Sequence, residues 1–172
     1  PNVGIIEFSE NTHPIPAALA IAERAKEWCE ANRTVEDLVT PSPKVLLVLE
    51  EAHTLVPEWN FNPERQHQAT VSQISQVVLQ ARKYGLGFCI VTQRTANVTK
   101  SILNQCNTIF SFQAFDETGF DFLTNYIGRE YVRALPSLKE RHGVFVGKAS
   151  SSHRPLIVKF NDQRRRVRAD PI

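Results

Sequence analysis

Two adjacent carboxylates, Glu50 and Glu51, end a run of five aliphatic residues, Val45, Leu46, Leu47, Val48 and Leu49, and lead into Ala52 and His53. Paired acids can hold a divalent cation and take a proton from a water beside a phosphate chain. A continuous apolar run of this length reads as a strand buried on both faces, as in the parallel sheet of an α/β protein. Such sheets bind ligands at the carboxyl ends of their strands, where Glu50 and Glu51 would emerge. In that role Glu50 would hold Mg²⁺, directly or through a water, and Glu51 would orient or deprotonate an attacking water. The plainer alternative is that both acids sit at a strand end because strand ends are solvated.

A second group follows. Gln93 is a neutral amide at the end of the apolar run Phe88, Cys89, Ile90, Val91, where it could sense a γ-phosphate or its attacking water. Arg82 lies eleven residues earlier, at the end of the preceding helical pattern. On its own it reads as a solvated cation favoured by the helix dipole, and Gln93 on its own could merely cap a loop. Their order after the acidic strand is the stronger signal. His53 reads as a packing or supporting residue rather than a metal ligand.

These groups need a scaffold, and the periodicities supply one. Residues 3–8 form a short apolar run that predicts a strand, with a turn at Ser9, Glu10 and Asn11. Residues 14–32 predict a helix whose apolar face is Ile15, Ala18, Leu19, Ile21, Ala22, Ala25 and Trp28. Residues 38–44, with Pro41 and Pro43, are a loop, and residues 56–65 are a polar, irregular excursion. A second amphipathic helix is expected over 68–84, presenting Val71, Ile74, Val77, Val78 and Ala81 and ended by Gly85 and Gly87. Then come a strand at 88–93, a short helix at 101–106, a strand at 108–113 and a helix at 116–127 with Asp116 as its N-cap. A helix at 129–135 precedes a closing β-hairpin of 143–146 and 156–160. Strands alternating with helices argue for a parallel α/β sheet with right-handed crossovers. With neither an internal repeat nor a long linker, residues 1–162 read as one domain and 163–172 as a basic tail.

Composition narrows the class. With 172 residues, 42% hydrophobic and 22% charged, the chain can bury a real core. Its longest apolar run is far short of the ~18 residues of a membrane span, and no signal-peptide pattern is visible, so it reads as cytoplasmic. Cys29, Cys89 and Cys106 make no C-x-x-C pair and the five histidines make no cluster, which supports neither a disulfide framework nor a zinc site. Cys89, inside an apolar strand, is expected to be a small buried hydrophobe. The net charge is +2, and removing the four charges of Arg164, Arg165, Arg166 and Arg168 leaves −2, so the body is not a basic DNA-binding surface. The sequence holds no methionine and begins at Pro1, which is expected of a piece of a larger polypeptide.

The segments VLLVLEEAHTLVPE, QARKYGLGFCIVTQR and SILNQCNTIF, in that order, resemble the HerA branch of the HerA–FtsK family of P-loop ATPases, over residues 1–160. The resemblance implies a RecA-like fold, mainly a parallel sheet flanked by helices, and a ring-shaped, usually hexameric motor that moves double-stranded DNA with Mg²⁺ and ATP. It implies Glu50 and Glu51 as the Walker B metal-binding and catalytic carboxylates and Gln93 as the sensor. Arg82 matches the arginine finger that acts on ATP held by the neighbouring subunit. A nuclease or another effector is a further partner the family suggests.

One departure is large. A Walker A loop reads G-x-x-x-x-G-K-[ST], and the only Gly-Lys pair here, Gly147 and Lys148, has His142 at the first glycine's place and Ala149 at the hydroxyl's. The core is therefore expected to be incomplete, the phosphate loop to lie elsewhere on the polypeptide, and the isolated chain to be inactive. For DNA contacts, Lys100, Arg94 and Arg129 are candidates by their loop positions, and the arginine run is either a grip or a solvated tail. Two competing readings remain. Glu-Glu-Ala-His resembles motif II of DEAD/DEAH helicases, although Thr92-Gln93-Arg94 fits the HerA-like pattern better. The other is a non-catalytic assembly or docking module on an ATPase-like fold.

Overall fold

A computed structural model describes residues 3–61, 67–115 and 117–161, and its contacts divide into two compact units, Pro1–Gln105 and Cys106–Ile172. The expected N-cap Asp116 and the arginine run lie outside the described residues.

The first unit is built on helix α1 (Pro14–Ala31), strand β1 (Val45–Leu49), a single helical turn α2 (Ala52–Leu55), helix α3 (Gln68–Ala81), strand β2 (Leu86–Ile90) and a second short turn α4 (Lys100–Leu103). Proline in the first turn of α1 suits a position whose N–H has no helical partner. Its buried stripe is Ile15, Ala18, Ala22 and Cys29, with Ala25 partly covered, and Trp28 is 53% exposed. The expected stripe thus ends one residue early, at Trp28 rather than Cys29. Spacings of three and four carried on from Ile15 reach Cys29, and Trp28 falls on the solvent side. Helix α3 buries Val71, Ile74, Val77 and Ala81 as expected and continues into a 3₁₀ turn over Arg82–Tyr84.

β1 and β2 pair in parallel, with Val45 opposite Leu86 and Leu49 opposite Ile90. Both long helices cover one face of this pair, where Ala22, Cys29, Val77, Ala81 and Leu86 enclose Val45, Leu47 and Phe88. The other face is open: Leu46 is 64% and Val48 58% exposed, and Cys89, beside Val48, is exposed as well. The expectation of a strand buried on both faces, and of a buried Cys89, is therefore corrected. No described helix of the first unit covers that second face. Residues 3–8 are likewise irregular rather than a strand, with Val3 and Ile5 almost fully exposed. An apolar run becomes a strand only with a neighbour to receive its backbone hydrogen bonds, and these residues pair with none among those described.

The start of β1 is pinned by one buried acid. Asp37 receives the N–H and hydroxyl of Thr34, the N–H and hydroxyl of Ser42, and the ammonium of Lys44 at 2.8 Å. Lys44, then Ser42 and Thr34, hold its carboxyl well below the usual carboxylate range. Lys44 in turn donates its N–H to the carbonyl of Gly85 at 2.8 Å. Gly85 has φ +78, and a Cβ there would lie 2.0 Å from the carbonyl oxygen of Ser42, so both conformation and space demand glycine. This clasp joins the loop before β1 to the turn before β2 and fixes their parallel register.

The second unit holds strand β3 (Thr108–Ser111), helices α5 (Glu117–Ile127) and α6 (Arg129–Ala134), and strands β4 (His142–Gly147) and β5 (Leu156–Lys159). The sheet order is β3-β4-β5, antiparallel throughout, so the closing hairpin is present where the sequence predicts it. Leu123, Ile127, Val132, Leu135, Leu138 and Val144 make its core. On the other face Phe110 stacks on Phe145 at 4.4 Å and Phe112 lies 5.3 Å from Phe160. Gly147 ends β4 at φ +116 and enters a turn closed by the Ser150 N–H, not a helix, so Gly147 and Lys148 are no phosphate loop.

Candidate active site

The two parallel strands deliver their last residues side by side. Leu49 accepts the N–H of Val91 and Val91 accepts the N–H of Ala52, both at 3.0 Å, so the pairing runs on past the strand ends and sets residues 50–53 beside residues 91–94. Glu51 then adopts the left-handed conformation, φ 48 and ψ 46. For a residue with a Cβ this costs on the order of 1–3 kcal/mol and persists only where the surroundings impose it. They do: the Glu51 carbonyl receives both the N–H and the hydroxyl of Thr54, at 2.8 and 2.9 Å. The strained residue breaks the strand and starts α2 within one step.

Both oxygens of the Glu51 carboxylate are met. Gln93 donates Nε2–H to Oε1 at 3.4 Å, and Nδ1 of His53 lies 3.3 Å from Oε2. The same Nδ1 is 3.4 Å from Oγ1 of Thr92, which also accepts the N–H of Arg94 at 3.1 Å. Glu51, His53, Thr54, Gln93 and Arg94 line an open hollow of about 280 Å³. Glu50, next to it, is exposed, and its carboxylate has no hydrogen-bond or ion-pair partner among the described residues.

The sequence-predicted residues divide accordingly. Glu51 and Gln93 are in contact, and Glu50 stands free beside them. Arg82 lies elsewhere: it opens the 3₁₀ turn before β2, at the opposite end of the strand pair, and is exposed. Arg94 lines the hollow, while Lys100 and Arg129 sit exposed at the starts of α4 and α6. The backbone N–H of Lys100 is taken by Glu58, at 2.9 Å, in the segment after α2. Sequence reasoning missed the contacts of His53 and Thr92. They join residues thirty-nine apart, and the only local hint is a histidine two places after the acid.

Whether these residues suit Mg²⁺ follows from the donor set. No group of three or more His, Cys, Asp or Glu side chains converges among the described residues, so these residues offer no all-protein cage. Mg²⁺ bound with a nucleotide does not need one, because waters and phosphate oxygens fill most of its octahedron around one or two carboxylates. Glu50, exposed and unpaired, fits that demand.

No family model matches the chain. It is 29% identical over 120 residues to the probable DNA double-strand break repair helicase HerA of Methanocaldococcus jannaschii, covering 68% of this chain and 22% of that protein. It is 27% identical over 120 residues to the DNA double-strand break repair helicase HerA of Sulfurisphaera tokodaii, covering 68% and 23%. The chain is related to the HerA-like helicases. It spans less than a quarter of the length of these HerA-like relatives. Among solved structures, this chain is similar to the genome packaging NTPase B204 of Sulfolobus turreted icosahedral virus 2 in complex with ATP-gammaS. There the TM-score is 0.62 at 16% identity, over 88% of this chain and 64% of that one. VirB4 of Thermoanaerobacter pseudethanolicus gives a TM-score of 0.59 at 15% identity, over 87% and 37%. The fold is that of the P-loop NTPases, covered in part. No helix among the described residues is long and apolar enough to cross a membrane.

Proposed function

We propose that the full-length protein hydrolyses ATP with Mg²⁺ to drive movement along double-stranded DNA, and that this chain carries the water-activating half of its site. The observation that carries the reading is the contact of Glu51 with Gln93 at the ends of adjacent parallel strands, with Glu50 open beside it. Glu51 is the general base. Its carboxylate takes a proton as the water oxygen bonds to the γ-phosphorus and the bridging P–O bond breaks, its electron pair leaving with ADP. Gln93 orients that water and senses the γ-phosphate. Glu50 would hold Mg²⁺, which would neutralise charge on the phosphates.

Arg82 serves a neighbouring subunit in a ring, hexameric by the family's habit. The phosphate loop comes from another part of the polypeptide, so the chain by itself is inactive. DNA contacts fall to loop cations such as Arg94, Lys100 and Arg129, and an effector such as a nuclease is a further partner. Glu51→Gln in the full-length protein keeps the shape of the site but removes the base. It is expected to bind nucleotide as the parent does while turning over at least ~10²-fold more slowly. Loss of nucleotide binding in the parent itself would instead leave a non-catalytic docking role on a borrowed fold.

A further inference from the structure

The two side chains beside the oxygens of Glu51, Gln93 and His53, are held differently. Gln93 comes from an exposed loop and meets Oε1 at 3.4 Å. His53 comes from a side chain only 18% exposed, while the Glu51 side chain it meets is 49% exposed. A largely enclosed ring therefore faces a carboxylate that is otherwise free to turn. An ionised carboxylate has no hydrogen to give, so attraction across 3.3 Å requires the hydrogen to be on Nδ1. That tautomer is assigned from the partners. The Thr92 hydroxyl fits either tautomer; with the hydrogen on Nδ1, Oε2 and the Thr92 oxygen, which also accepts the Arg94 N–H, share it as a three-centre contact.

We propose that His53 is a positioning residue for Glu51, anchored by Thr92, and that it divides the labour of the two carboxylate oxygens. Nδ1–H holds Oε2, which leaves Oε1 as the oxygen that takes the proton from water once the Gln93 amide turns to the phosphate. Thr92, Gln93 and Arg94 are consecutive, so the base, through His53, and the sensor are set by one three-residue segment beyond β2. Any shift of that segment moves both together. The inference rests on the reading of Glu51 as general base. An unrestrained glutamate loses about a tenfold factor in the population of any one arrangement, which sets the scale of the effect.

The test measures kcat and KM for Mg²⁺-ATP in the full-length protein. His53→Ala is expected to lower kcat by about tenfold with KM changed by less than about threefold, since it spoils the base and not binding. His53→Asn places an amide N–H the same number of bonds from the backbone as Nδ1 and recovers most of the loss. Thr92→Val loses activity in the same direction and Thr92→Ser restores it. In a Glu51→Gln background His53→Ala changes single-turnover hydrolysis less than about twofold, because what it positions is gone. A merely structural histidine would give a different pattern: lower thermal midpoints for both His53 variants, weaker nucleotide binding, and the same further loss in either background. That pattern, or a His53→Ala protein within about twofold of the parent, overturns the proposal. If the parent hydrolyses no ATP, or Glu51→Gln turns over at the parent's rate, the reading of Glu51 fails and takes the inference with it. If those two behave as expected and His53→Ala is unaffected, only the inference falls.

Discussion

Arg82 offers the sharpest test of a site shared between subunits. Arg82 precedes β2 and Glu51 follows β1, and the paired strands between them, Val45–Leu49 and Leu86–Ile90, are about 13 Å long at ~3.3 Å per residue. Across that distance in a water-like dielectric, a pair of unit charges is worth only about 0.3 kcal/mol. An arginine finger worth at least ~10³ in rate must supply about 4 kcal/mol. Arg82 cannot deliver this to the Glu51 of its own chain, so any large effect of Arg82→Ala on turnover must come from a neighbour. The prediction is a loss of ~10³-fold or more on Arg82→Ala, relieved by mixing. Equal amounts of Arg82→Ala and Glu51→Gln subunits, each nearly inactive alone, assemble at random into head-to-tail rings. About one interface in four then combines an intact Glu51 with an intact Arg82. Steady-state ATP hydrolysis after subunit exchange should recover toward a quarter of the parent rate. Full activity in Arg82→Ala, or no recovery in the mixture despite demonstrated exchange, would refute the argument.

Two further outcomes concern the clasp that sets the register of β1 and β2. Because Asp37 has a lowered carboxyl pKa in the folded state, its contribution is fully present above the ordinary carboxylate value, ~3.9. It is lost as the pH falls through the lower folded value. Asp37→Asn should therefore lower the thermal midpoint at pH 7 by several degrees, with the gap to the parent closing in acid; a gap that widens on acidification would contradict this. Gly85→Ala should destabilise by at least ~2 kcal/mol in denaturant titration, from the left-handed backbone and the clash with the Ser42 carbonyl. A change under ~0.5 kcal/mol would show that the turn can rearrange.

Much of this was legible in local sequence because local sequence determined it. The aliphatic run before Glu50 made β1, helical spacing found the buried residues of α3, and alternation with a polar turn found the β4–β5 hairpin. Where the reading failed, the missing information was tertiary. Residues 3–8 have strand-forming composition but no neighbour to pair with among the described residues, and Leu46 and Val48 are open because α1 and α3 share one face. Trp28 and Cys29 differ by a single step of helical phase. The site was half legible. Adjacent acids and a strand-end glutamine could be named, but the left-handed turn at Glu51 and the link from His53 to Thr92 depend on two strands ending in register. Asp37 left a faint trace, a threonine three residues before it.

The central claim is that Glu51 activates water in an ATP-driven DNA motor. Mg²⁺-dependent ATP hydrolysis by the full-length protein, with and without double-stranded DNA and beside its Glu51→Gln variant, addresses it most directly. Turnover should be stimulated by DNA in the parent and lost in the variant, with nucleotide binding kept in both. Turnover that survives in Glu51→Gln, or a parent that neither binds nor hydrolyses ATP, would contradict it.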